Sequence, residues 1–259
     1  MSLNALTVDC LENYIDTDDN IIETELFNGT IRRKEPNRIK QRRKSSEVFP
    51  FKTMEEIRAM INTIDKHINE ATTQYSRKRW CRNKMIFIIG INVGIRGSDL
   101  CELRWKDFFY DDYVFRDGIS IQPIKTRNTS GKYVHLVFNN NVKMAISEYI
   151  EQYPIESLDD YVFFSKTTSK DGTNHIDRQS LGRMVKSVAK ECGIRQNVNS
   201  HSLRKTFGYH RWHNAKDKSA MLSKLQLIFG HASLVDTQKY IGIQQEELEE
   251  VFNDFESLY

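Results

Sequence analysis

Tyr240 stands nine residues past His231 and thirty-six past Arg204, in the run Thr237-Gln238-Lys239-Tyr240-Ile241-Gly242-Ile243. A phenol has a pKa near ~10, so at neutral pH it is protonated and a poor nucleophile unless neighbours activate it. Suitable neighbours recur along the chain. Arg96 lies between two glycines in Gly94-Ile95-Arg96-Gly97-Ser98-Asp99-Leu100. His201 and Arg204 are three apart in His201-Ser202-Leu203-Arg204, and His231 follows Gly230 in Phe229-Gly230-His231-Ala232-Ser233. Two arginines, two histidines and a lysine gathered toward one late tyrosine suit attack on a phosphodiester.

Each piece alone has a plainer reading. Arg96 between glycines could be a surface arginine, although Asp99 three residues on could orient its fork. A lone His-x-x-Arg is weakly specific. His201 and Arg204 gain weight from their place on one face of a helix expected to start at Ser200. His231, at a helix end marked by Gly230, could offer a ring nitrogen to a phosphate oxygen.

The elements that must hold these residues read as follows. Thr53 with Glu56 forms a capping box ahead of Ile57, Met60, Ile61 and Ile64 at helical spacing. A second helix is expected from about Arg79 to Gly94, and a short third from Ser98 to Trp105. The period then changes: Tyr113–Phe115, Gly118–Ile121 and Tyr133–Phe138 favour strands, with Gly118 and Gly131 supplying turns. Asn139 could cap a helix carrying Val142, Ala145, Ile146 and Tyr149, and Tyr161–Phe164 reads as another strand. Helices are expected over about 178–192, 201–214, 218–229, 234–241 and 245–255. The fold class is therefore α+β, mostly helical, with a small antiparallel sheet. The last helix is amphipathic through Leu248, Val251, Phe252 and Phe255.

Composition bounds the alternatives. A chain of 259 residues, 39% hydrophobic and 28% charged, supports one sizeable core. No stretch has the roughly 18 to 20 apolar residues of a membrane span. Cys10, Cys81, Cys101 and Cys192 show no zinc or disulfide spacing, which suggests a reduced, cytoplasmic setting. His210 with His213, and Asp99 with Glu102, are pairs without an evident third ligand, so no metal and no cofactor are expected. The net charge of +3 conceals segregation: residues 1–31 hold no Lys or Arg, while residues 32–44 are strongly basic. A second basic group is Arg77, Lys78, Arg79, Arg82 and Lys84. Such runs can be solvated faces or tracks for nucleic-acid phosphates. Residues 1–48 read as a charged, arm-like extension, with Phe49-Pro50-Phe51 as the hinge into the domain at 49–259.

Together the motifs resemble the tyrosine recombinase (phage integrase) family over about residues 50–259. That family combines an arginine in a Gly-x-Arg-x-Ser-Glu/Asp-Leu turn, a hairpin lysine, His-x-Leu-Arg-x-Thr-Phe, Gly-His-x-Ser and a tyrosine nine residues past the second histidine. Arg96, Lys125, His201, Arg204, His231 and Tyr240 fill those places. The resemblance implies that Tyr240 attacks the scissile phosphate to form a 3′-phosphotyrosine link, while Arg96 and Arg204 clamp the non-bridging oxygens. It makes Lys125 the proton donor to the 5′ oxygen, His201 the general base or proton partner of Tyr240, and His231 a hydrogen-bond partner of the phosphate. Arg127 and Lys132 share the hairpin and could also reach the leaving group; the Lys-Thr pair favours Lys125. Arg127, Lys132, Arg77 and Arg79 are expected DNA contacts.

The implied partners are double-stranded DNA, further copies of the chain (a monomer in solution, a tetramer on DNA) and accessory proteins. A phage or other mobile-element origin follows from the family alone. Family members carry a helical DNA-clamping domain before the catalytic one, whereas about fifty polar residues precede it here. Two rival readings share the fold or the chemistry: a DNA-binding regulator that does not recombine, and a type IB topoisomerase.

Overall fold

The computed structural model describes residues 24–27, 30–33, 47–128, 131, 133–166 and 174–243. The chain divides into two compact units, residues 1–47 and 48–259. Within the first, β1 (Thr24–Phe27) pairs antiparallel with β2 (Thr30–Arg33), Thr24 facing Arg33 and Phe27 facing Thr30. The arm-like reading anticipated no element here. Asn28-Gly29, a dipeptide favoured in two-residue hairpin connections, is the sequence signal that marks it.

The second unit is built around α2. Its first helix, α1 (Met54–Asn69), opens on the expected box: Glu56 N donates to Thr53 Oγ1 at 3.1 Å, and Thr53 N donates to Glu56 Oε2 at 3.3 Å. Ile57, Met60 and Ile64 turn inward from it. Next, α2 (Gln74–Val93) starts five residues earlier than the apolar spacing suggests, because Thr73 caps the Ser76 N–H. Met85, Ile86, Phe87, Ile89 and Val93 are buried along its second half, where α1, α4 and α6 surround it. Gly94 ends it at φ 65°, a left-handed turn that glycine adopts without steric cost.

Beyond that turn, α3 (Gly97–Cys101) is shorter than the expected Ser98–Trp105, and Trp105 instead opens a separate 3-10 turn. Among the described residues of this unit the sheet is one hairpin, β3 (Gly118–Ile121) with β4 (Val134–Val137), in register from Gly118–Val137 to Ile121–Val134. Two expected strands are not strands. Tyr113–Phe115 belongs to a tight turn closed by Tyr113 N to Tyr110 O at 2.9 Å and Tyr110 N to Val114 O at 2.9 Å. Tyr161–Phe164 makes only isolated bridges, Arg104 with Tyr161 and Phe164 with His175.

The remaining helices each start on a polar cap: α4 (Asn140–Gln152) on Asn139, α5 (Arg178–Glu191) on Asp177, α6 (Ser200–His213) on Asn199. Asp217 caps α7 (Lys218–Phe229) and Ser233 caps α8 (Leu234–Ile241). A side-chain oxygen at each cap takes an N–H that the first helical turn leaves free. The helix expected at 245–255 lies outside the described residues. Among those described, the apolar side chains form two clusters. The larger joins α1 to α5, the hairpin and Leu203 of α6; the smaller gathers Trp212, Leu222, Leu225, Phe229, Ile241 and Ile243.

Candidate active site

Arg204 is the residue around which the site is assembled. It lies on α6, 4% exposed, and donates from Nη1 to the Gly94 carbonyl at 2.8 Å and from Nη2 to the Phe229 carbonyl at 2.9 Å. Its guanidinium lies 4.4 Å from the Phe229 ring centroid. One side chain thereby ties the end of α2 and the end of α7 to the middle of α6. Arg96 follows Gly94 by two residues, and His231 follows Phe229 by two. The same contacts that secure the helices bring the Arg96 and His231 turns to Arg204.

Tyr240 completes the cluster from α8. Its ring centroid is 5.0 Å from that of His231 and 5.3 Å from that of Phe229. The Arg204 charge acts on its phenol, and Lys205 Nζ stands 5.2 Å from the ring centroid. Thr237, fully buried one turn before Tyr240, meets His231 Nδ1 through Oγ1 at 3.1 Å. The Thr237 hydroxyl proton is directed to Ser233 O at 3.3 Å, so Oγ1 accepts from Nδ1–H. That leaves Nε2 as the open nitrogen of a neutral His231. His201, partly buried on α6, is held at its backbone N–H by Asn199 Oδ1 at 2.8 Å.

The electrostatics follow from this crowding of cations. Burial pushes the Tyr240 phenol above its ordinary value, and Arg204 and Arg96 pull it back only in part. The hydroxyl therefore keeps its proton at neutral pH and needs an acceptor. Burial lowers His201, and Arg178, Arg204, Lys205 and Arg96 lower it further. His231 is lowered by burial, then by Arg204 and Arg96, against an opposing pull from Asp236. Both rings are thus neutral at pH 7. Burial lowers Arg204 to about 10, still well above neutrality.

Asp99 does something other than orient Arg96. It is buried, and its Oδ1 accepts the Ile124 N–H at 2.9 Å. Among the described residues no ion pair joins Asp99 to Arg96. The bond instead anchors the 3-10 turn Ile124–Thr126 beside α3, with Lys125 exposed on it. Arg127 pairs with Glu102 at 3.5 Å, and Lys132 lies outside the described residues.

The second basic group splits apart. Arg82 is buried and bonded to Asn83 Oδ1 and the Phe164 carbonyl, and Lys84 bridges Asp65 at 3.0 Å and Glu148 at 2.6 Å. Arg77 and Arg79 are exposed on the first two turns of α2, about 25 Å along that helix from Gly94 at 1.5 Å per residue. The histidine pair on α6 is also structural: His210 Nε2 meets the Phe51 carbonyl at 2.9 Å, and His213 stacks on Tyr209. Among the described residues no group of three or more potential metal ligands forms. Thr237 and Arg178, neighbours of His231 and His201, escaped the sequence reading. Thr237 was detectable, six residues from His231 and one helical turn before Tyr240.

The chain belongs to the phage integrase family, which its residues 32–247 match. It is 30% identical over 185 residues to the probable integrase/recombinase YoeC of Bacillus subtilis, covering 71% of this chain and 91% of that one. It is 32% identical over 204 residues to tyrosine recombinase XerD of Listeria innocua, covering 75% and 61%. Against tyrosine recombinase XerC of Thermodesulfovibrio yellowstonii the identity is 29% over 175 residues, covering 66% and 54%. The chain thus spans nearly all of YoeC but little more than half of XerC.

Among solved structures, XerA recombinase superposes with a TM-score of 0.54 at 21% identity, covering 83% of this chain and 66% of that one. XerH in its post-cleavage complex with palindromic difH gives 0.52 at 21%, covering 79% and 53%. These likenesses are of fold, and the fold is that of the tyrosine recombinases.

Proposed function

We propose that the chain is a site-specific DNA recombinase that cuts and rejoins duplex DNA through a 3′-phosphotyrosine intermediate. The Tyr240 oxygen attacks the scissile phosphorus, the bond from phosphorus to the 5′ oxygen breaks, and His201 takes the phenol proton. Lys125 delivers a proton to the departing 5′ oxygen, which leaves as a hydroxyl. Arg96 and Arg204 stabilise the charge that grows on the non-bridging oxygens, and His231 Nε2, once protonated, donates to the phosphate. One phosphoester replaces another at similar energy, so resealing is the same step reversed and ATP is not consumed. The guanidiniums supply the positive charge, and no metal takes part.

The observation that carries this reading is the double tie of Arg204 to Gly94 and Phe229, with the Tyr240 ring packed against the Phe229 and His231 rings beside the same guanidinium. A phosphate set against Arg204 would meet the nucleophile and both histidine-bearing segments at once. Arg127, Lys132, Arg77 and Arg79 contact flanking phosphates, and a tetramer forms on DNA from monomers. XerH, a relative in fold captured with its DNA after cleavage, supports DNA as the substrate.

A library of random-sequence duplexes carrying nicks tests the reading, since a cut beside a nick releases a short strand and prevents resealing. Wild type should accumulate a covalent protein–DNA adduct, and Tyr240→Phe none. A wild type that binds the library without forming an adduct would favour the regulator. Relaxation of plasmids irrespective of sequence would favour the topoisomerase.

A further inference from the structure

We infer that Arg178 is a positioning residue that holds His201 neutral, with Nε2 unprotonated, so that the ring is ready to accept a proton. This rests on the reading of His201 as proton acceptor above. Arg178 is the first residue of α5, directly after the Asp177 cap, and its side chain is exposed. The stem packs where two site segments meet: a Cβ on Gly97 would lie 3.5 Å from Arg178 Cγ and 3.0 Å from Ser200 Cβ. Gly97 follows Arg96 and Ser200 precedes His201, so the stem lies beside the turn that carries Arg96.

From there Arg178 Nη1 reaches His201 Nε2 at 3.4 Å. A guanidinium has no acceptor, so Nε2 must be the accepting atom and the proton of the neutral ring sits on Nδ1. The charged groups facing His201 are Arg178 from α5, Arg204 and Lys205 from α6, and Arg96 from the turn before α3. Every one is a cation. They do not act alike once DNA binds.

Arg96 and Arg204 are the pair that meets the scissile phosphate, whose negative charge then offsets theirs at His201. A histidine depending on them alone would take a proton from water just when it must take one from Tyr240. Arg178 is not part of that pair. Its charge keeps Nε2 unprotonated while the phosphate is in place, and its long 3.4 Å contact yields to the approaching phenol.

Two readouts on the full chain test this. Nitrogen-detected NMR of the imidazoles, with His201 assigned through His201→Gln, follows the titration of DNA-free protein. Arg178→Ala should raise the His201 midpoint, while Arg178→Lys, which keeps the charge, should leave it near that of wild type. Cleavage of the nicked library should give the Ala variant a deficit that grows severalfold from about pH 8 to about pH 6, as an acid limb moved to higher pH requires. An unmoved midpoint in Arg178→Ala, or equal movement in the Lys variant, overturns the inference. A deficit equal at all pH values also overturns it, because it would mark Arg178 as a simple DNA contact. Failure of wild type to form any adduct would sink the recombinase reading while leaving the NMR result to stand or fall separately.

Discussion

The two arginines of the site carry the same charge yet differ in what their loss should cost. Arg204 serves two buried carbonyls, at Gly94 and Phe229. Arg204→Ala leaves both without that donor, and about 1–3 kcal/mol of stability should go with it. Arg96 has no such bond among the described residues, so Arg96→Ala should stay within about 0.5 kcal/mol of wild type in denaturant unfolding. Both should cut adduct formation on the order of 10²- to 10³-fold. An Arg96 variant destabilised as much as the Arg204 variant would contradict this division. The histidines add a pH dependence. His201 and His231 are both lowered in the folded chain. The unfolded chain therefore binds protons first, and the contribution to stability is present above an ordinary histidine pKa of about 6.5 and lost as pH falls below it. The Tm of DNA-free protein should drop between about pH 7.5 and about pH 5.5, and His201→Gln should drop less. The residues legible in the sequence are those bound to a fixed spacing: Arg96, His201, Arg204, His231 and Tyr240. Arg178 was not, because its link to His201 crosses from α5 to α6 and no periodicity connects positions 178 and 201.

At the level of elements, the approach of α6 to α8 positions Tyr240. Gly208 makes it possible: a Cβ there would stand 2.6 Å from Ile241 Cγ2 and 2.8 Å from Phe229 Cζ, both in buried side chains. Gly208→Ala should push α8 and Tyr240 away from Arg204, costing about 1–3 kcal/mol as overpacking does. Adduct formation should fall further than that stability loss explains, as measured at a temperature where the variant is fully folded. An unimpaired Gly208→Ala enzyme would show that α8 is not held by this contact. The hairpin makes a separate prediction. If Lys125 protonates the leaving oxygen, Lys125→Ala should slow cleavage of ordinary DNA but not of DNA with sulfur at the bridging 5′ position, since a thiolate leaves without a proton. Equal slowing on both would remove that role. Helices other than α3 were well legible because each begins at a capping side chain. Short aromatic runs were not: Tyr113–Phe115 has strand-forming residues, yet Arg116 Nε donates to the Phe109 carbonyl at 2.9 Å and the segment closes as a turn. Likewise α2 began earlier than its apolar residues indicate, since its first turn is exposed and only Thr73 announces it.

Taken whole, the second unit divides its site between unequal supports. Arg96 and His201 stand on elements of the larger cluster. Tyr240 belongs with the smaller one, where six buried apolar side chains are found against thirty-two among the described residues. Segments with few buried contacts open more readily. Amide exchange should accordingly be faster in α7 and α8 than in the second half of α2, and slow when DNA bridges the two supports. Exchange that is uniform across the unit would contradict this. The fold class was legible as a whole because the helical period dominates after residue 177. The division of the core was not, because Phe229 and Ile241 carry the same apolar pattern as residues of the main core. Only the packing of α6 against α8 separates them.

The central claim is that the Tyr240 oxygen reaches a phosphorus held by Arg96 and Arg204. Its most direct measurement is tandem mass spectrometry of the peptide left attached to DNA after trapping on a nicked duplex. The account predicts a phosphodiester on Tyr240 itself, joined to the 3′ side of the cut, with a free 5′ hydroxyl on the released strand. Attachment through another residue, or to a 5′ end, would contradict it.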